Sequence, residues 1–171
     1  MDLVNLIGYA AFLAFPLAML YAAASDLFTM TIDNLVSVVL VLAFLVAAPI
    51  LGMDLATFGL HWLAGLVVLL VGFGLFAANW IGGADAKIAA VAALWLGFGG
   101  LIEFVTLACL FGGALTILLL SFRKFILPVA VVRQSWVARL HHPETGIPYG
   151  IALAAAALFA YPHSIWLGLA V

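Results

Sequence analysis

The chain has 171 residues, of which 69% are hydrophobic and 7% are charged, and its formal net charge is -2. A soluble domain has roughly 45–50% apolar and about 25% charged residues, and it could not keep this much apolar surface away from water. The five basic residues form no dense cluster, which removes an electrostatic basis for binding nucleic acid. The composition therefore predicts a protein embedded in a lipid bilayer.

Six apolar segments have lengths near the roughly 20 residues that a helix needs to cross the hydrocarbon. In chain order they are Leu3–Ala24, Leu35–Leu51, Ala56–Ala78, a short segment after Lys87 that ends near Gly97–Gly100, about Phe104–Leu120, and Ile151–Leu169. The first follows Met1-Asp2 without a basic region or a cleavage site, so we interpret it as a retained span. The sequence predicts an all-α polytopic membrane bundle of about six transmembrane helices, forming a single domain over residues 1–171.

The basic residues all fall on one side of this predicted bundle. Lys87 follows the third span, and the segment after the fifth span contains Arg123, Lys124, Arg133 and Arg139. Under the positive-inside rule that side is cytoplasmic, which places both termini on the outer side.

The segment between the fifth and sixth spans is too polar to cross the membrane. Within it, Val129, Val132, Trp136 and Leu140 recur at helical spacing. This pattern predicts a helix that lies in the cytoplasmic interface with its arginines near lipid phosphates. A solvated loop is an equal alternative.

Acidic residues at membrane depth are costly and indicate functional sites. Four of the seven acids fit outer span ends or the cytoplasmic loop, and we assign them no special role: Asp2, Asp54, Glu103 and Glu144. The other three are Asp26 at the cytoplasmic end of the first span, Asp33 before the second span, and Asp85 at the start of the fourth. Each has a structural alternative, as a polar helix end for Asp26 and as a helix cap for Asp33 and Asp85.

Asp26 and Asp85 are predicted at the same membrane depth, and a compact bundle could bring them together. Two facing carboxyls share a proton, because like charges a few ångströms apart cannot both ionise. The ionised one can take a proton from water while the other polarises a carbonyl group, which hydrolyses a peptide bond without a metal or a cofactor. Gly82 and Gly83 precede Asp85 and predict a tight turn or a close approach of another segment.

Two segments resemble the catalytic motifs of the type IV prepilin peptidases. Asp26–Asn34 resembles the first motif, an Asp followed at a fixed distance by Ile-Pro-Asn, and Gly82–Lys87 resembles the second, Gly-x-Gly-Asp with a Lys two residues on. Gly146–Ala152 is similar to the segment before the last span in the short members that serve Flp-type (tight-adherence) pili. The resemblance extends along nearly the whole chain.

The resemblance implies a GxGD-type intramembrane aspartic endopeptidase that removes the basic leader of type IV or Flp-type prepilins. It implies that Asp26 and Asp85 are the catalytic pair, without a metal or cofactor. The supporting residues that it implies are Gly82, Gly83, Lys87 and Asn34. The partners would be the leader and hydrophobic segment of a prepilin, and the lipid of a bacterial inner membrane, with periplasmic termini and a cytoplasmic active site.

Three features depart from the pattern of the family. Asp33 replaces the usual Pro and adds a third acid. Ala84 replaces the Gly before the catalytic Asp, where a methyl group is compatible with a negative φ but not with a positive one. The larger members have an N-terminal domain with paired cysteines, whereas this chain starts with its first span and has one cysteine, Cys109. We therefore expect no methyltransferase domain.

Two other functions stay open. One is a small ion-coupled carrier whose acids bind a proton or a cation, although both acids are predicted at one face and no internal repeat is evident. The other is a pilus-assembly component that has the same fold and weak catalysis.

The histidines are interpreted as structural. We expect His61 at the outer membrane interface, at the start of the third span. His141 and His142 are adjacent in a loop without metal-ligand geometry, and His163 follows Pro162, where we expect a helix kink.

Overall fold

The structure is a computed structural model that describes residues 3–170. Met1, Asp2 and Val171, which include both predicted outer termini, lie outside the described residues. The described part contains helices and no strand, which confirms the prediction of an all-α membrane bundle. In chain order the helices are α1 Leu3–Thr29, α2 Asn34–Ile50, α3 Leu55–Ala77, α4 Gly83–Phe122, α5 Val129–Val132, α6 Ser135–His141, α7 Tyr149–Ala160 and α8 Trp166–Ala170.

Short connections between α1, α2 and α3 are closed by aspartate caps. Asp33 is the N-cap of α2, where its carboxylate accepts a hydrogen bond of 2.9 Å from Leu35 N. Asp54 caps α3 in the same way and accepts bonds of 3.0 Å from Ala56 N and Thr57 N. Hydrogen bonding from Thr57 holds the pKa of Asp54 below its usual value. Asp33 therefore has the capping role that the sequence left open for it.

Helix α4 contains the predicted fourth and fifth spans and turns back on itself at Gly97. Gly97 has φ 63° and ψ -176°, which interrupts the helical geometry. In a straight helix, Asp85 and Arg123 would be roughly 57 Å apart at 1.5 Å per residue. Both nevertheless line one cavity. The first half of α4 (residues 83–96) and the second half (residues 98–122) therefore lie side by side in opposite directions.

His61 packs against this turn. Its side chain is buried and its Nδ1 donates a hydrogen bond of 2.8 Å to the Leu94 carbonyl. The ring also stacks on Phe44, with ring centroids 5.7 Å apart. His61 is therefore buried in the protein and does not face the membrane interface as predicted, because Gly97 leaves room for the ring and the Leu94 carbonyl accepts its N–H.

Aromatic side chains fill the interior near the turn. The indole N–H of Trp95 donates to Leu40 O at 3.1 Å, and that of Trp166 donates to Trp95 O at 2.7 Å. Phe15 stacks on Trp95 with centroids 5.3 Å apart, and Phe44 packs edge-on against it. These contacts bury large apolar rings while their polar N–H groups stay hydrogen-bonded. They join α1, α2, α4 and α8.

The predicted sixth span is interrupted. Helix α7 ends at Ala160, and a 3-10 turn, Tyr161–His163, leads to α8. Pro162 lies in this turn and cannot continue the hydrogen bonding of the helix. His163 follows it, and its Nδ1 lies 3.0 Å from Glu103 Oε1. The kink expected beside His163 is thus a break in the helix.

The cytoplasmic segment forms α5 and α6 where the sequence predicts one interfacial helix. Gln134 separates them because its backbone is extended, with φ -75° and ψ 115°. Trp136 packs edge-on against Phe28 of α1 at 5.5 Å, and Leu140 is buried. Val129, by contrast, is 73% exposed. The predicted apolar face is therefore divided, with its second part packed on the protein.

Replacing Gly97 by Ala is expected to destabilise the bundle. The positive φ disfavours any side chain, and a Cβ would lie 2.6 Å from His61 Nε2. The expected cost is about 1–3 kcal/mol. Gly99→Ala is the matched control, because a Cβ at Gly99 meets nothing within 4 Å. Thermal unfolding in detergent measures both, and equal melting temperatures for the two variants would contradict the assigned geometry.

Candidate active site

A cavity of about 1100 Å³ lies at one end of the bundle, where α1 ends and where α4 and α7 begin. Its charged lining residues are Asp26, Asp85 and Arg123. We call it the acidic cavity. The structure therefore brings together the two aspartates that the sequence places on separate helices.

Asp26 belongs to the last turn of α1 and is 6% exposed. Its Oδ2 accepts a hydrogen bond of 2.7 Å from the backbone N–H of Gly150, in the first turn of α7. A Cβ at Gly150 would lie 2.7 Å from the same oxygen. Only a residue without a side chain therefore lets the start of α7 approach the carboxylate this closely. The positive end of the α7 dipole also favours a negative charge there.

Asp85 is in the first turn of α4, and the N-cap is Gly82. The alternative that Asp85 itself is the N-cap is wrong. Its carboxyl bends back toward the cap, and a Cβ at Gly82 would lie 2.9 Å from Asp85 Oδ2. Gly82 has φ -72°, a conformation open to any residue. The glycine is required by the close approach of Asp85 and not by an unusual turn.

Gly83 has a similar role on the other side of the chain. A Cβ there would lie 3.3 Å from the ring of Phe76 at the end of α3. Ala84 is helical and is not among the residues with positive φ, so its methyl group is compatible with the backbone. The substitution of Ala for Gly leaves the geometry before Asp85 intact.

Asp26 and Asp85 share the acidic cavity. Asp33 does not join them: it is exposed and does not line the acidic cavity. A pair of carboxyls with different partners, Gly150 N–H for Asp26 and the Gly82 cap for Asp85, is suited to acid–base chemistry in which one group is charged and the other neutral.

Lys87 and Asn34, the two remaining predicted residues, lie outside the acidic cavity. Lys87 Nζ donates a hydrogen bond of 2.8 Å to Asn34 Oδ1. This bond joins the start of α4 to the start of α2. The bond therefore links the segment that follows Asp26 to the helix that carries Asp85.

Arg123 is a cavity residue that the sequence analysis used only to orient the bundle. Its guanidinium donates to four carbonyl oxygens on the segment that leads into α7. They belong to Leu140 at 2.8 Å, Pro143 at 3.4 Å, Thr145 at 2.7 Å and Gly146 at 3.0 Å. Backbone acceptors carry no sequence pattern, so only the position of an arginine at the end of an apolar segment could have indicated this role.

Two non-glycine residues with positive φ also line the acidic cavity. Met30, with φ 57°, follows the end of α1, and Asn79, with φ 59°, follows the end of α3. Trp80 N donates to Leu75 O at 2.9 Å, which closes the end of α3 around Asn79. Strained backbone of this kind is frequent at functional sites, where the surrounding structure maintains it.

Comparison with known protein families gives a match to the type IV leader peptidase family over residues 13–117. The match covers more than half of the chain and includes both Asp26 and Asp85. Searches of curated proteins and of solved structures found no match. With a membrane helix bundle and this match together, the chain belongs to the type IV leader peptidase family.

Proposed function

We propose that this protein is a prepilin leader peptidase, an aspartic endopeptidase in which Asp26 and Asp85 are the catalytic pair. The observation that carries the proposal is that these two acids, from helices far apart in the chain, line one cavity. Membership of the leader peptidase family supports the reaction class. The close contacts of Gly150 with Asp26 and of Gly82 with Asp85 support preorganised carboxyls.

In the proposed reaction the two carboxyls share one proton, because two close negative charges repel. The carboxylate takes a proton from a water molecule, whose oxygen attacks the carbonyl carbon of the scissile peptide bond. The protonated carboxyl donates a hydrogen bond to the carbonyl oxygen and stabilises the negative charge that develops there. The carboxyl that took the proton from water then gives it to the amide nitrogen, the C–N bond breaks, and the new carboxyl and amino ends are released. The residues that carry these steps are Asp26 and Asp85, and no metal or cofactor takes part.

The proposed substrate is a type IV or Flp-type prepilin, and the proposed location of the acidic cavity is the cytoplasmic face of a bacterial inner membrane. Three basic residues near the cavity support this orientation. Arg123 lines the cavity, Arg139 Nη1 donates to Phe28 O at 2.9 Å near the end of α1, and Lys87 donates to Asn34.

The proposed supporting residues position the catalytic pair. Gly82 leaves space for the Asp85 carboxyl, and Gly83 leaves space for the ring of Phe76. The bond between Lys87 and Asn34 holds α2 and α4 together below the cavity. Removing that bond would loosen the geometry of the pair but leave both carboxyls in place.

Replacing either catalytic aspartate by Asn is expected to lower leader cleavage at least about 100-fold, because one proton-transfer step is lost. The measurement is the conversion of a tagged prepilin in isolated membranes, with membrane insertion followed in parallel. Asp33→Asn is the control, since Asn also caps a helix and Asp33 lies outside the cavity. Cleavage at the wild-type rate by Asp26→Asn or Asp85→Asn would exclude the two-aspartate mechanism.

Replacing Gly150 by Ala is expected to lower kcat about 100-fold, because the added methyl group displaces the Asp26 carboxylate. Gly146→Ala is the matched control in the same segment, where a Cβ meets nothing within 4 Å. Initial rates at saturating substrate give the comparison, and thermal unfolding shows whether both variants are folded. Equal kcat values for the two variants would show that Gly150 does not position Asp26.

A further inference from the structure

A groove of about 370 Å³ lies on the side of the bundle, between α3, the two halves of α4, and α7. We call it the apolar groove. Its lining is hydrocarbon apart from three residues with polar side-chain atoms, Asp85, Cys109 and Tyr149. Gly72 allows its walls to close, since a Cβ there would lie 3.0 Å from the Cβ of Ala86.

The apolar groove meets the acidic cavity at Ile81, Asp85 and Tyr149, which line both. Tyr149 is held at this junction by its hydroxyl, which donates to Ala108 O at 3.3 Å. The ring occupies space left by Gly112, where a side chain would overlap the hydroxyl. Asp85 therefore lines two spaces, one polar and one apolar.

The apolar groove opens on the lateral surface of the bundle. Its rim residues Val67, Val71 and Val105 are 39%, 59% and 47% exposed. Ala86 and Phe104 at its bottom are buried. Exposed apolar side chains on a membrane bundle face lipid, so a chain embedded in the bilayer can enter the groove from the side.

A second groove of about 250 Å³ provides a comparison. It lies between α2, α3 and the first half of α4, and its lining includes Leu66, Leu69 and Ala90. Neither Asp26 nor Asp85 lines it. Lipid acyl chains fill either groove equally well, because both are apolar. The apolar groove differs in that Asp85 lines it, so a peptide whose scissile bond reaches Asp85 can occupy this groove and the acidic cavity at the same time.

We propose that the apolar groove binds the hydrophobic segment of the membrane-embedded substrate while the basic leader lies in the acidic cavity. This inference rests on the proposed function and adds the location of the substrate to it. The junction at Asp85 and Tyr149 then lies where the substrate changes from polar to apolar. The volume is that of a small ligand pocket, so the groove takes side chains from one face of the segment and not a whole helix.

The first experiment fills each groove with a Trp side chain. Val71→Trp and Val105→Trp obstruct the rim of the apolar groove, and Leu66→Trp obstructs the second groove. Each purified variant in nanodiscs is given two substrates, a full prepilin and a short peptide that covers the cleavage site but lacks the hydrophobic segment. The ratio of kcat/KM for the prepilin to kcat/KM for the peptide is expected to fall about tenfold in the first two variants and to keep its wild-type value in the third. An unchanged ratio in Val71→Trp and Val105→Trp would overturn the proposal.

The second experiment does not depend on cleavage. A photo-cross-linking amino acid replaces Val71, Val105 or Leu66 in the Asp85→Asn chain, which is then mixed with a prepilin in nanodiscs. Cross-links to the hydrophobic segment are expected from the first two positions and not from the third. Cross-links from Val71 and Val105 to lipid alone would refute the groove, even where the wild type cleaves normally. Lack of cleavage of both substrates by the wild type would instead refute the proposed function, and the cross-links would still decide the groove.

Discussion

The reversal of α4 at Gly97 brings the two ends of a 40-residue helix to the same end of the bundle. One end carries Asp85, and the other carries Arg123. Because Arg123 holds the segment that leads into α7, the same reversal positions the Gly150 N–H beside Asp26. The acidic cavity therefore depends on a turn at the opposite end of the bundle, where His61 and Trp95 pack.

A second constraint is that polar side chains in the interior reach backbone partners only where a glycine leaves space. A polar group inside a membrane bundle costs free energy unless it finds a partner, and backbone groups are the partners that helices can offer at short range. His61 reaches the Leu94 carbonyl beside Gly97, and Asp26 reaches the N–H of Gly150. Tyr149 reaches the Ala108 carbonyl over Gly112. In each case a glycine admits the polar side chain into an interior that is otherwise hydrocarbon.

The sequence predicted the helical fold, the approximate positions of the helices and the two acids of the cavity. Position beside an apolar segment left a structural role open for Asp26 and Asp85, as it did for the helix caps Asp33 and Asp54, and the resemblance to the prepilin peptidase motifs singled out the pair. His61, Arg123 and Tyr149 were missed or misplaced, since their partners are backbone carbonyls brought close by the fold. The break of the cytoplasmic segment at Gln134 was also missed. The spacing of hydrophobic residues indicates one face of a helix but does not show where the helix ends.

The hydrogen bonds from Arg123 to four carbonyl oxygens affect which side chains of this protein can vary. An arginine that binds carbonyls holds the path of a segment without regard to its side chains. The exposed residues among 141–146, such as His142 and Glu144, can therefore change their side chains while the buried Leu140 and the entry to α7 stay in place. Arg123 thus fixes the backbone path of this segment, while the exposed side chains of the same segment are free to change.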